Sequence, residues 1–199
     1  NVAAINVNYG YSISDASNTT WSITNGHFQN CPVYMFYFGH SSNLTFSQLT
    51  VKNADVFSNY GTYGQFNISL SNLTVVDGGI LPDIGMDLYG KLTDIQWNGF
   101  LDRSFVLFGA ITGGNVVVRN LTGIHNASNR TVVLANARLS NWTFINVSLS
   151  APSGSSMLGE NRVGSCKYIG CSLSNAYNPI IADHNGGVSE IAAIAPLWD

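Results

Sequence analysis

Residues 46–53, FSQLTVKN, and residues 70–77, LSNLTVVD, each place apolar residues at positions one, four and six and a short polar residue at position eight. The same phrase returns at Leu139, Trp142, Phe144 and Asn146, and again at Tyr168, Cys171, Leu173 and Asn175. Weaker copies run through Ile23, Gly26, Phe28 and Asn30, through Leu92, Ile95, Trp97 and Gly99, and through Val118, Leu121, Gly123 and His125. First positions thus fall at 23, 46, 70, 92, 118, 139 and 168, seven units with a period of about 24 residues.

A second apolar cluster follows about half a repeat later. It comprises Phe36 and Phe38 before Gly39, Leu107 and Phe108 before Gly109, Val133 and Leu134 before Ala135, Met157 and Leu158 before Gly159, and Ile180 and Ile181 before Ala182. Within each stretch the period is two, the residues are β-branched or aromatic, and turn formers bound the run, so the units are short strands. Strands at a fixed period with several turns per unit predict an all-β, right-handed parallel β-helix-like solenoid of about seven coils. A β-sandwich or jelly roll is the alternative, because any all-β chain shows regularly spaced turns. In the helix the position-eight residues Asn30, Asn53, Asp77, Asn146 and Asn175 form an inward ladder at a bend, where each amide bonds backbone left unpaired by the turn.

The chain has 199 residues, 10% of them charged, with 23 Asn, 22 Ser, 12 Thr and 20 Gly. Roughly 25% charged residues is usual, so neutral polar groups build this surface. A net charge of −3, with 3 Lys and 5 Arg scattered along the chain, supplies no basic stripe for nucleic acid or anionic lipid. No apolar run approaches the ~20 residues of a membrane-spanning helix. The start at Asn1 without a Met fits removal of a secretion signal, and a trimmed chain would look the same.

Residues 1–14, NVAAINVNYGYSIS, lie outside the repeat and precede a head domain over 15–199. Ile5, Val7, Tyr9, Tyr11 and Ile13 alternate with polar or small residues, which predicts one long strand with a single apolar face. Such a strand either covers the first coil of its own domain or leaves it to fill a groove in the next subunit, an open head-to-tail contact that builds a filament. At the other end Val188, Ile191, Ala192, Ile194, Leu197 and Trp198 form an apolar tail, either the opposite cap or one wall of an acceptor groove.

Cys166 and Cys171 are close enough to pair across a turn, which leaves Cys31 over. Nine Asn-x-Ser/Thr sequons occur, at Asn18, Asn43, Asn67, Asn72, Asn120, Asn126, Asn129, Asn141 and Asn146. Asn72, Asn120 and Asn141 are placed at position three, beside an inward position, and so point outward to carry glycans. Asn146 belongs to the inward ladder and stays unmodified. With only 11 carboxylates, few groups would charge or lose partners at low pH, so the surface is expected to tolerate acid.

Catalysis has little to stand on. Glu160 and Asp183 align on neighbouring coils with His184 adjacent and Asn136 one coil earlier, a spacing that suits a carboxylate pair but equally a solvated bend. The remaining acids are scattered, and His27, His40 and His125 lack metal-ligand companions. Tyr34, Phe36, Tyr37 and Phe38, with Tyr60 and Tyr63, form an aromatic cluster better suited to the core than to stacking sugars. No metal or cofactor is expected, apart from covalent N-glycans.

The alternating N-terminal strand, the sequons and the charge-poor, Asn/Ser/Thr-rich composition together resemble the subunits of archaeal thread filaments. These are N-glycosylated surface fibres of thermoacidophiles joined by donor-strand complementation. The resemblance implies that Val2, Ile5, Val7, Tyr9, Tyr11 and Ile13 insert into a neighbouring copy. It also implies that Asn18, Asn43, Asn67, Asn72, Asn120, Asn126, Asn129 and Asn141 carry glycans, and that identical subunits form a linear homopolymer outside the cell. The expected role is structural, in adhesion, biofilm or cell contact. The alternative is a carbohydrate-binding or polysaccharide-cleaving β-helix domain.

Overall fold

The computed structural model describes residues 2–5, 9–13, 19–31, 34–38, 42–54, 58–59, 65–78, 80, 83–84, 87–98, 105–109, 113–124, 131–136, 141–150, 156–161, 165–174 and 188–192. Among these the elements are strands and no helix occurs. The first nine are β1 (Val2–Ile5), β2 (Tyr9–Ile13), β3 (Thr19–Cys31), β4 (Tyr34–Phe38), β5 (Ser42–Ala54), β6 (Ser58–Asn59), β7 (Gln65–Val76), β8 (Asp83–Ile84) and β9 (Asp87–Asn98). The rest are β10 (Phe105–Gly109), β11 (Gly113–Ile124), β12 (Thr131–Asn136), β13 (Asn141–Ile145), β14 (Ser148–Ser150), β15 (Ser156–Asn161), β16 (Ser165–Ile169), β17 (Ser172–Ser174) and β18 (Val188–Ala192).

An eleven-stranded sheet runs β1-β3-β5-β7-β9-β11-β13-β16-β18, with β14 beside β11 and β17 beside β14. Smaller sheets join β10, β12 and β15, then β2 and β4, then β6 and β8. Every pairing among the described residues is parallel. An antiparallel sandwich or jelly roll therefore does not describe this part of the chain. Parallel neighbours cannot be joined by a tight hairpin, which is why each strand pairs with one a full repeat away.

Pairing places Ile23, Phe46, Leu70, Leu92, Val118, Phe144, Tyr168 and Ile191 in one column, at intervals of 23, 24, 22, 26, 26, 24 and 23 residues. Position one is thus confirmed for five consecutive units and corrected for the sixth. The sixth unit starts at Phe144, which stands opposite Val118 and Tyr168, and Leu139 lies outside the described residues. The inward spacing explains the slip. Each long strand buries residues spaced two, three and two apart: Leu44, Phe46, Leu49 and Val51 in β5, and Trp142, Phe144, Val147 and Leu149 across β13 and β14. Leu139, Trp142 and Phe144 happen to reproduce the three-then-two part of that spacing one step early.

Four apolar columns make the core. Phe46, Leu70, Leu92, Val118, Phe144 and Tyr168 are at most 1% exposed, and Leu49, Leu73, Ile95, Leu121, Val147 and Cys171 are likewise buried. Each large apolar side chain removed from water contributes about 1.5–3 kcal/mol against exposure, before the cost of ordering it. Phe144 stacks on Tyr168 along its column, with ring centroids 5.3 Å apart. Where one ring is too wide, the next rung gives way: the Trp97 indole sits against Gly123, and its Nε1 donates to the Gly78 carbonyl at 2.9 Å.

Between positions one and four two outward residues follow each other, so the pleat has to break. It breaks through a left-handed residue at position three: Asn25, Gln48, Asn72, Asp94, Asn120 and Asn146 have φ between 53° and 57°, and Gly170 continues the column at 58°. Asn30, Asn53 and Asp77 do the same at position eight, with φ of 50° to 54°. These account for all the positive-φ residues other than glycine among those described. Asn and Asp adopt this conformation at low cost because their short side chains bond locally.

Several expectations are corrected here. The position-eight residues form a ladder at a bend, Asn53 Nδ2 donating to Asn30 Oδ1 at 3.0 Å, yet Asn53 is exposed and Asn30 and Asp77 are half-buried, so the ladder is not inward. Asn146 is an exposed member of the position-three column. Asn175 lies outside the described residues. The N-terminal stretch is two strands paired in parallel with β3 and β4, Val2 opposite Gly26 and Tyr11 opposite Phe36. It extends the repeat by part of a rung, and Ile5, expected on the apolar face, is 50% exposed. Val7 lies outside the described residues.

Candidate functional site

The outward columns are rich in amides and hydroxyls, with Lys91, Val117 and Lys167 in one of them and Asp94 in another. Three residues before position one stand Asn43, Asn67, Asn115 and Asn141, and two residues later Thr45, Ser69, Val117 and Thr143. At position three stand Asn72, Asp94, Asn120 and Asn146, and two residues later Thr74, Gln96, Thr122 and Ser148. The residue between is a core member each time: Leu44, Ile68 and Trp142 in the first pair of columns, Leu73, Leu121 and Val147 in the second. Six of the nine sequons are these rungs. An outward amide, an inward core residue and an outward hydroxyl read along one strand as Asn-x-Ser/Thr.

The sequon asparagines Asn43, Asn67, Asn72, Asn120, Asn141 and Asn146 are all exposed. Asn141 belongs to the Asn43 column and not to position three, a second consequence of the misplaced sixth unit. Asn18, Asn126 and Asn129 lie outside the described residues. Along the columns four amides donate to the rung before them: Asn67 Nδ2 to Asn43 Oδ1 at 3.0 Å, Asn141 Nδ2 to Asn115 Oδ1 at 2.9 Å, Asn120 Nδ2 to Asp94 Oδ1 at 2.9 Å, and Asn146 Nδ2 to Asn120 Oδ1 at 3.4 Å. Apart from the Asp94 carboxylate, a ladder of this kind satisfies polar groups without charge. The sequence pointed to outward sequons but not to these bonds, because a donor on one rung and its acceptor on the next are 24 to 26 residues apart.

Asn72, Thr74, Asp94, Gln96, Asn120 and Thr122 line an open polar groove of about 370 Å³ across three rungs. Among the described residues that line it Asp94 is the one carboxylate, and its amides and hydroxyls can hydrogen-bond a neutral polyol. On the far side of the Thr74, Gln96 and Thr122 row lies a more apolar strip of Val76, Gly123 and Ile124, the last 52% exposed.

Glu160 stands opposite Ala135, while Asn136 stands opposite Asn161, so Glu160 and Asn136 are one column apart and not aligned. Asp183, His184, His40, His125, Tyr60 and Tyr63 lie outside the described residues. Tyr34, Phe36, Tyr37 and Phe38 form β4, and His27 is exposed. Among the described residues no three His, Cys, Asp or Glu side chains come together as a metal site. Cys171 is a free, buried thiol, so the expected Cys166–Cys171 bridge is not formed; its sulfur instead approaches the carbonyls of Phe144 at 3.4 Å and Ile169 at 3.6 Å. Burial raises its pKa, only partly offset by backbone hydrogen bonds, which keeps the thiol protonated and unreactive. No helix among the described residues is long and apolar enough to cross a membrane. No protein-family model, curated protein or solved structure matches the chain.

Proposed function

We propose that the chain is a right-handed parallel β-helix serving as the structural subunit of an extracellular, N-glycosylated cell-surface filament, with a role in adhesion, biofilm or cell contact. The observation that carries this is the in-register parallel stack whose outward columns are rich in Asn, Ser and Thr, with amide ladders running from rung to rung. Ladders of that kind cover a surface and hold a rod together, and they bring no acid–base set together. The right hand follows from the handedness of parallel crossovers in twisted sheets.

Head-to-tail growth uses the same pairing. β1 and β2 bond to β3 and β4 through one edge, in the register that relates every later rung. A neighbouring copy offers an identical edge, so residues 1–14 can leave their own chain and take that place on the next one, a donor strand exchanged at little cost in contacts. Deleting residues 1–14 is expected to abolish polymerisation while leaving a folded monomer, checked by electron microscopy and circular dichroism. A filament that still assembles from the shortened chain would overturn the donor-strand assignment.

A further inference from the structure

The chain contains two identical sequons in one column. Asn72-Leu73-Thr74 and Asn120-Leu121-Thr122 share the tripeptide and the position-three place; the two asparagines have φ of 53° and 55°, and both are exposed over a buried leucine. They differ in what stands on the preceding rung. Before Asn120 stands Asp94, whose carboxylate takes the Asn120 Nδ2 hydrogen at 2.9 Å. A carboxylate only accepts, so the Asn120 amide cannot be turned over without setting its oxygen against Asp94. The Asn120 oxygen in turn accepts from Asn146. Before Asn72 stands Gln48, and after it stands Asp94, which has no hydrogen to give; the Asn72 amide makes no hydrogen bond to another described residue.

We infer that Asp94 masks the Asn120 sequon, so that Asn72 carries an N-glycan and Asn120 does not. This rests on the glycosylated-surface role proposed above and adds which amide is open to modification. In the transfer the Asn Nδ2 forms a bond to the sugar C1 and loses a proton, while the C1–O bond of a lipid-diphosphate-linked oligosaccharide breaks and the lipid diphosphate leaves with the electron pair. The nitrogen has to turn toward the donor, and at Asn120 it is held by a charge-assisted bond that first has to be broken.

The test is site occupancy by mass spectrometry on the full chain made without glycans in bacteria, folded, and then incubated with an oligosaccharyltransferase and its lipid-diphosphate-linked donor. The expected result is an Asn72 occupancy at least about tenfold that of Asn120, the factor a hydrogen bond to a charged group carries. Asp94→Gly keeps the left-handed backbone and removes the acceptor, and should raise Asn120 to the level of Asn72. Gln48→Asp sets the same carboxylate before Asn72 and should lower its occupancy by a similar factor, so the two variants move in opposite directions and neither depends on the other folding. Equal occupancy of Asn72 and Asn120 in the parent chain, or no response in both variants, overturns the masking while leaving a glycosylated surface intact. A chain bare at every sequon overturns the glycosylated role and the masking together.

Discussion

Gln48 is the one residue of the position-three column, from Asn25 to Gly170, that is neither Asn, Asp nor Gly, and it still adopts φ of 56°. A left-handed residue with a long side chain costs roughly 1–2 kcal/mol, and Asn avoids part of that cost through local bonding. Gln48→Asn is therefore expected to raise stability by about 1 kcal/mol, read as a higher urea midpoint with unchanged slope. The chain should come from bacteria, since the change itself creates a sequon. That position three turns left-handed was latent in the sequence: apolar residues three apart, between pairs two apart, leave two outward residues in succession, which a regular pleat cannot supply. Which residue breaks the pleat is set by the cost of positive φ, and the asparagines mark it.

At the scale of one strand, β-branched and aromatic residues at inward positions, bounded by turn formers, were enough to locate β5, β7, β9 and β11. Packing between strands was less legible, because it depends on what faces each residue one rung away. Gly26 and Gly123 look alike in sequence, both occurring where other units carry larger residues. A Cβ on Gly123 would fall 2.5 Å from the Trp97 carbonyl oxygen, which is backbone and cannot yield, whereas on Gly26 it would meet Leu49 Cδ2 and Phe28 Cε2 at 2.6 Å, the far ends of side chains. Gly123→Ala is expected to cost about 1–3 kcal/mol, in the range of core overpacking, and Gly26→Ala less. Chemical denaturation of the two variants beside the parent checks the order; a larger loss at Gly26 would count against the Trp97 packing described above.

For the whole molecule, low charge is the property with a measurable consequence. Acid unfolding is driven mainly by protonating carboxylates and histidines that are paired or buried in the native state, and this chain has 11 carboxylates and 4 His in 199 residues. Its melting temperature at pH 3 is expected to stay within about 3 °C of that at pH 7, a shift on the order of 1 kcal/mol for a chain of this size. Thermal melts followed by circular dichroism test this, and acid collapse of the fold would show that a few carboxylates carry much of the stability.

The sequence by itself determined the strands, the repeat of about 24 residues and the neutral outward surface, because each follows from local alternation and composition. Tertiary structure decided the rest. Leu139, Trp142 and Phe144 satisfy the local spacing as well as Phe144, Val147 and Leu149 do, and only pairing with Val118 and Tyr168, 26 and 24 residues away, selects the second. That one choice moved Asn146 from an inward ladder to an exposed column and Asn141 into the column of Asn43. The same long-range pairing set β1 and β2 against β3 and β4, and placed Asp94 before Asn120. A period-two pattern fixes which face a residue takes within its strand, while its neighbour on the next rung is set by the length of chain between them.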